Sequence, residues 1–338
     1  MKRLATLLSL CLILAACSAG ESGQVVAGIQ VIRPPHEVSA FAVKGDILFA
    51  GGREGVFQIE RKSGRVLGML DAPRPLHHVR ALAVDRDGLL WIGSPEGLWA
   101  WDGGAGWTAV RAGEGIPDDR VNYLTVDRAG RLWVGTWGGA AVRDGARWSL
   151  LRQADGLADD MVNLLFEDEE GGFWFGSYTA PKGGLSYRAP DGSWTRWSVA
   201  EGLPHNNING LFQDREGALW ACTGFLDRGG ACRFVRRGGR WALDRVVTRE
   251  DGLAGAKSRS LFQDRNGIYW FGSEYDGMAR MEDGRYHILT RDDGLSGNET
   301  KSILQDADGV LWFATEDGVT RLDSQAQRAL AGGSGGTP

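Results

Sequence analysis

The chain has 338 residues, among them 51 glycines and 14 tryptophans, with 43 % hydrophobic and 24 % charged residues and a formal net charge of −5. No third-residue glycine period exists and apolar side chains suffice for a core, which excludes a collagen-like or a disordered chain. The acidic balance argues against nucleic acid as a partner, because a phosphate-binding surface needs a basic surplus.

The first element reads as an address. Met1 to Cys17 is MKRLATLLSLCLILAAC, with Lys2 and Arg3 at the start, an apolar run to Leu14 and small residues before a cysteine. This is the pattern of a secretory signal peptide, and it is too short for a membrane span. Its end, Leu14-Ala15-Ala16-Cys17, resembles the bacterial lipoprotein box. The resemblance implies cleavage before Cys17 and lipidation of its thiol, and Ser18 in place of Asp implies the outer membrane. The other reading is cleavage a few residues later without a lipid. The expected organisation is a signal peptide over 1–16, a tether over 17–24, a repeat domain over 25–323 and a flexible tail over 324–338. Beyond the leader, no stretch is apolar enough to span a bilayer, so membrane contact is expected through the lipid alone.

Val25 to Ile32 is an apolar strand with no repeat of its own. The repeats follow. Six segments align on an Asp, a Gly and a Trp: VDRDGLLWIGS, VDRAGRLWVGT, EDEEGGFWFGS, QDREGALWACT, QDRNGIYWFGS and QDADGVLWFAT. A weaker first copy, VKGDILFAGG, has Phe49 in the Trp position. Spacings from Phe49 through Trp91, Trp133, Trp174, Trp220, Trp270 and Trp312 are 42, 42, 41, 46, 50 and 42. A period in the low forties gives four strands per propeller blade. In each copy a strand ends at the Asp, and Asp-x-x-Gly makes a tight turn in which Asp accepts local backbone hydrogens and Gly takes positive φ. A second strand carries the Trp, a third follows a Gly, and a fourth ends in a Gly-Leu or Gly-Ile joint, as at Gly156-Leu157. The repeated Asp and Trp residues are therefore read as turn and inter-blade core. The last copy stops after its third strand, so the strand at Val25–Ile32 is expected to supply the fourth and close the ring. The predicted fold is all-β, a seven-bladed β-propeller of four-stranded antiparallel blades.

With its preceding D/E-G-L, this pattern resembles the two-component regulator propeller repeat over nearly all of residues 25–323. The first copy departs from it by lacking Asp and Trp, the fifth has Cys222 in a Gly position and the seventh Ala314. The resemblance implies a sensor of the kind found on hybrid histidine kinases, detecting oligosaccharides or other extracellular signals. No kinase or DNA-binding helix is seen after the repeats, so neither activity is expected of this chain.

Chemistry-bearing residues are sparse. Cys222 and Cys232 lie ten residues apart on adjacent strands of the fifth blade. An exported protein favours a disulfide there, free thiols being the alternative. Zinc would want four paired ligands. The histidines His36, His77, His78, His205 and His287 show no metal-binding spacing. No nucleophile elbow or phosphate loop occurs, so no metal, cofactor or catalytic residue is expected.

In a propeller the connections between strands two and three and between blades share one face. There the loops SYTAPKGG and TGFLDRGG are lengthened and aromatics recur. Aromatic plates beside hydrogen-bonding side chains suit a sugar or a peptide. The candidate ligand residues are Trp137, Tyr178, Lys182, Phe225, Asp227, Arg228 and Tyr275 on the loops, and Arg120, Asn122, Asn163, Asn207, Asn209, Arg259 and Lys301 at the starts of inner strands. The expected function is a lipid-anchored binding propeller of the cell envelope, on its periplasmic face or surface, acting as an accessory sensor for carbohydrate or protein. A membrane histidine kinase, another envelope protein or an oligosaccharide would be its partner. The alternatives are an assembly scaffold in an envelope complex and, in third place, a propeller lyase or hydrolase.

Overall fold

The computed structural model describes residues 28–178 and 181–332. The leader, the tether and Cys17 lie outside these residues, as does the tail beyond Gly332. Seven four-stranded antiparallel sheets form seven blades, with the first strand of each innermost. Blades 1 to 6 span residues 38–69, 81–110, 121–151, 162–197, 208–247 and 258–289. Blade 7 takes three strands from 300–322 and its outermost from Ile29–Ile32, paired Ile29 to Leu322 through Ile32 to Val319. The expected ring closure is thus observed.

The Asp turns do more than reverse the chain. In blade 4, Oδ1 of Asp168 accepts the backbone N–H groups of Glu170 and Gly172 at 3.1 and 2.8 Å, and Oδ2 accepts Nε1–H of Trp174 at 3.1 Å. Asp85, Asp127, Asp214, Asp264 and Asp306 hold their tryptophans in the same way, at 2.7–3.0 Å. One carboxylate therefore shapes the hairpin and orients the indole six residues on. The indole is then pressed between blades: Trp174 meets Phe234 and Trp241 of blade 5 at ring-centroid distances of 5.9 and 5.2 Å. An indole N–H inside that layer needs an acceptor, and the Asp supplies it.

The Gly joints explain why glycine and aromatics are abundant together. Gly115, Gly156 and Gly252 have positive φ, and a Cβ at each would lie 2.6, 2.3 and 2.5 Å from Trp148, Trp194 and Tyr286 on the outer strand of the following blade. The aromatic ring covers the bare backbone, so a side chain at the joint would displace it.

The expected tail is corrected in part. Ser324–Gly332 forms an α-helix. Oδ1 of Asp323 accepts the N–H groups of Gln325 and Ala326 at 2.9 and 3.0 Å, which starts the helix. Ala326 is buried against blade 7, and Nε2 of Gln327 donates to Gly309 O and Leu322 O. No helix among the described residues is long and apolar enough to cross a membrane.

Candidate functional site

The inner strands converge on an axial cavity of about 790 Å³. At its mouth each blade contributes one residue from the start of its inner strand, the second strand residue in six blades and the residue just before the strand in blade 2: Ser39, Arg80, Asn122, Asn163, Asn209, Arg259 and Lys301. In six of the seven blades the sheet register slips at this position, as between Val121 and Tyr123. In blade 2, Arg80 directly precedes the first paired residue, Ala81. A bulged residue is left out of the ladder and its side chain is re-aimed, here toward the axis.

These side chains stitch blade to blade. Nδ2 of Asn122 donates to Val162 O at 3.1 Å, Asn163 to Ile208 O at 3.0 Å and Asn209 to Ser258 O at 3.1 Å. Oγ of Ser260 donates to Thr300 O at 2.8 Å. Arg80 donates to Oδ1 of Asn122 at 2.8 Å, and Lys301 crosses to Glu37 at 2.7 Å.

The mouth has two unlike halves. Along blades 6, 7 and 1 cations and carboxylates alternate. Lys257 pairs with Glu274 at 2.8 Å and Arg259 with Glu299 at 3.0 Å. Lys301 lies 3.6 Å from Glu299 and 2.7 Å from Glu37, which also takes Arg53 at 2.9 Å. Burial works to raise the Glu37 carboxyl, but the Lys301 hydrogen bond and the charges of Lys301, Arg53 and His78 outweigh it and hold the group below its ordinary value. Blades 3 to 5 instead offer amides and aromatic rings. Nε1 of Trp137 donates to Oδ1 of Asn122 at 3.0 Å, and the Arg120 guanidinium lies over the ring at 4.4 Å. Nζ of Lys257 sits 3.4 Å from the Tyr178 hydroxyl and lies over both the Tyr178 and Phe225 rings. His205 stacks beside Phe225, and burial, with the charges of Lys257 and Arg228, lowers its pKa.

Asn122, Trp137, Asn163, Tyr178, Asn209, Arg259 and Lys301 all line the axial cavity, as a shared site requires. The remaining candidates lie outside its lining. Phe225, Asp227 and Arg228 belong to a projecting hairpin, because TGFLDRGG continues strands Leu219–Phe225 and Arg228–Arg237 with its tip at Leu226. Tyr275 lines a separate cavity with Tyr286 and Thr290. The residue after the Ser or Thr of strand two, equivalent to Trp137 and Tyr178, is Glu274 in blade 6. Asn207 is buried, Lys182 is exposed, and Arg120 serves as a cover for Trp137. Glu37, Arg53 and Arg80 were missed in the sequence. The alignment that places Asn122 also places Arg80, one residue after the buried Val79.

The expected disulfide is corrected. Cys222 and Cys232 are free and buried. Cys232 pairs with Ala221, the neighbour of Cys222, so the thiols point to opposite faces of the sheet. Cys232 joins the cluster facing blade 4 and Cys222 the one facing blade 6. Burial pushes the Cys222 thiol up to about 12 and raises Cys232 as well, so both act as small core hydrophobes. Among the described residues no group of three His, Cys, Asp or Glu side chains could hold a metal ion.

Comparison with known proteins agrees with this architecture. The two component regulator propeller family matches residues 74–96, 115–138, 202–225, 252–275 and 294–317, so the chain carries that repeat five times. The copies around Phe49 and Trp174 fall outside the matched segments. No curated protein matches the chain. Among solved structures, the extracellular domain assigned to the hybrid two component system BT3049 of B. thetaiotaomicron superposes with a TM-score of 0.75 at 19 % identity, over 89 % of this chain and 42 % of that one. Virginiamycin B lyase from Staphylococcus aureus gives 0.66 at 13 % identity, over 87 % and 98 %. PorZ, a surface component of the type-IX secretion system of Porphyromonas gingivalis, gives 0.64 at 15 % identity, over 85 % and 46 %. The chain thus spans less than half of the BT3049 domain, and at these identities the likeness is one of fold.

Proposed function

We propose that this ring of two component regulator propeller repeats is an extracytoplasmic sensor or binding module that takes its ligand at the axial mouth. The observation that carries the reading is the ring at the inner-strand starts: the fold aims one side chain per blade, bulged in six of the seven, at a cavity large enough for an oligosaccharide, with Trp137 and Tyr178 beside it. The repeated Asp and Trp are consumed by turns and blade contacts, whereas these positions vary among blades and face the cavity. The likeness to the BT3049 extracellular domain supports a place in a sensory system of the envelope, with a kinase or another envelope protein as the partner. We place the anchor at a lipidated Cys17. Labelling with a fatty-acid analogue checks it, and a chain that takes up no label contradicts it.

Two further readings draw on specific likenesses, PorZ for an assembly scaffold and the lyase for an enzyme. A glycan array and a pull-down in mild detergent, each run with wild type, Trp137→Ala and Tyr178→Ala, separate them from a glycan sensor. Glycan binding lost in both variants at unchanged thermal midpoint is the expected result. A stoichiometric protein partner with no glycan bound points to the scaffold, and conversion of a bound glycan to an unsaturated product points to a lyase.

A further inference from the structure

The axial mouth holds one charge that its neighbours do not balance. Lys257, Arg259, Lys301 and Arg53 each have a carboxylate within 3.0 Å. Arg80 has none among the described residues; its side chain makes a single hydrogen bond, to Oδ1 of Asn122 at 2.8 Å. It is solvent-accessible and lines the cavity. The protein atoms crowding the channel nevertheless desolvate the guanidinium and lower its pKa. A guanidinium is a planar fork that matches a carboxylate in two parallel hydrogen bonds, and most of this fork is unused.

What stands beside it narrows the chemistry. Trp137 donates to the same Asn122 oxygen at 3.0 Å, so an indole and the free guanidinium meet across one acceptor. In the adjoining blade, Asn163 lines the cavity and donates Nδ2 to Ile208 O, and no hydrogen bond to its Oδ1 is seen among the described residues. An apolar plate, an acceptor for hydroxyl groups and an unpaired guanidinium are complementary to a pyranose ring, its hydroxyls and a carboxylate.

Building on the proposed axial site, we infer that its ligand is an acidic carbohydrate, a uronate-type sugar whose ring lies on the side of the exposed Trp137 indole away from Arg120 and whose carboxylate pairs with Arg80. Such a ligand would bring to Arg80 the negative charge that none of its neighbours among the described residues supplies. The electrostatic part of the affinity should fall as salt rises.

The test is calorimetric titration of the full chain in detergent with trisaccharides of galacturonate, glucuronate and mannuronate, each beside its carboxyl-reduced, neutral counterpart. At least one uronate should bind at least tenfold more tightly than its neutral partner. Arg80→Gln should abolish that preference while keeping the wild-type thermal midpoint, because Arg80 contributes one side-chain hydrogen bond to the fold. Neutral sugars that bind as well as or better than their uronates, or a preference that survives in Arg80→Gln, would overturn the inference and leave the binding-module reading standing. Failure of both series to bind would overturn the inference and remove carbohydrate from the proposed function.

Discussion

Asp168 and Arg80 are both charged side chains in a β-rich ring, yet only one is free to act. Asp168 is fully buried and gives its oxygens to two backbone N–H groups and an indole. Hydrogen bonds to a charged group contribute about 1.5–3 kcal/mol each, and an orphaned buried donor is costly. Asp168→Ala should therefore lower stability by about 3 kcal/mol or more in urea unfolding; a loss below about 1 kcal/mol would show that the turn holds without it. The repeated Asp and Trp were legible in the sequence because recurrence in every blade marks a structural duty. Asn122, Asn163 and Asn209 were legible for the opposite reason, as polar residues following an apolar first position. Arg80 follows the same rule, but its blade shows no aromatic on the neighbouring loop to draw attention to it. The thiols were misread because sequence distance says nothing about face: Cys222 and Cys232 are neighbours across a ladder yet look in opposite directions.

Among the elements, the blade joint is where composition becomes packing. A Cβ at Gly156 would stand 2.3 Å from the Trp194 ring, on a backbone with φ of +136°. Gly156→Ala should cost about 3 kcal/mol from strain and overpacking together, read as a lower urea midpoint, whereas an unchanged midpoint would mean that the joint is slack. The period gave the blades and their closure by the N-terminal strand, since strand count is arithmetic on the repeats. The bulge at the inner-strand start was not legible, because it depends on how seven strands crowd one axis. The helix Ser324–Gly332 was missed because SQAQRALAG has little apolar content, although Asp323 just before it is a fitting helix start. TGFLDRGG read as a loop because its glycines suggest turns. Gly224, Gly229 and Gly230 instead have positive φ within a closely paired hairpin.

For the whole molecule, the ring sets the structural Asp turns apart from the proposed binding face. The Asp turns on one face hold the indoles, and the opposite face opens an axial mouth on which cations gather despite a net charge of −5. Part of the stability is tied to ionised carboxylates. Glu37 and Asp127 are held below their ordinary values of 4.5 and 3.8, in each case against burial, by Lys301 for Glu37 and by Trp133 and Arg131 for Asp127. A carboxyl depressed in the folded state stabilises fully above its unfolded pKa and loses that contribution as pH falls through its folded pKa. The thermal midpoint should be level above about pH 5 and fall progressively below about pH 4.5. A midpoint unchanged down to pH 3 would show that these pairs contribute nothing. We propose that this propeller meets its ligand at the residues of the axial mouth. A crystal structure of the protein with the tightest-binding oligosaccharide from the array tests it most directly. A sugar ring against Trp137 or Tyr178, within hydrogen-bond reach of Arg80, Asn122 and Asn163, is the expected result; a ligand seated on the Asp-turn face or on the outer strands would refute the axial site.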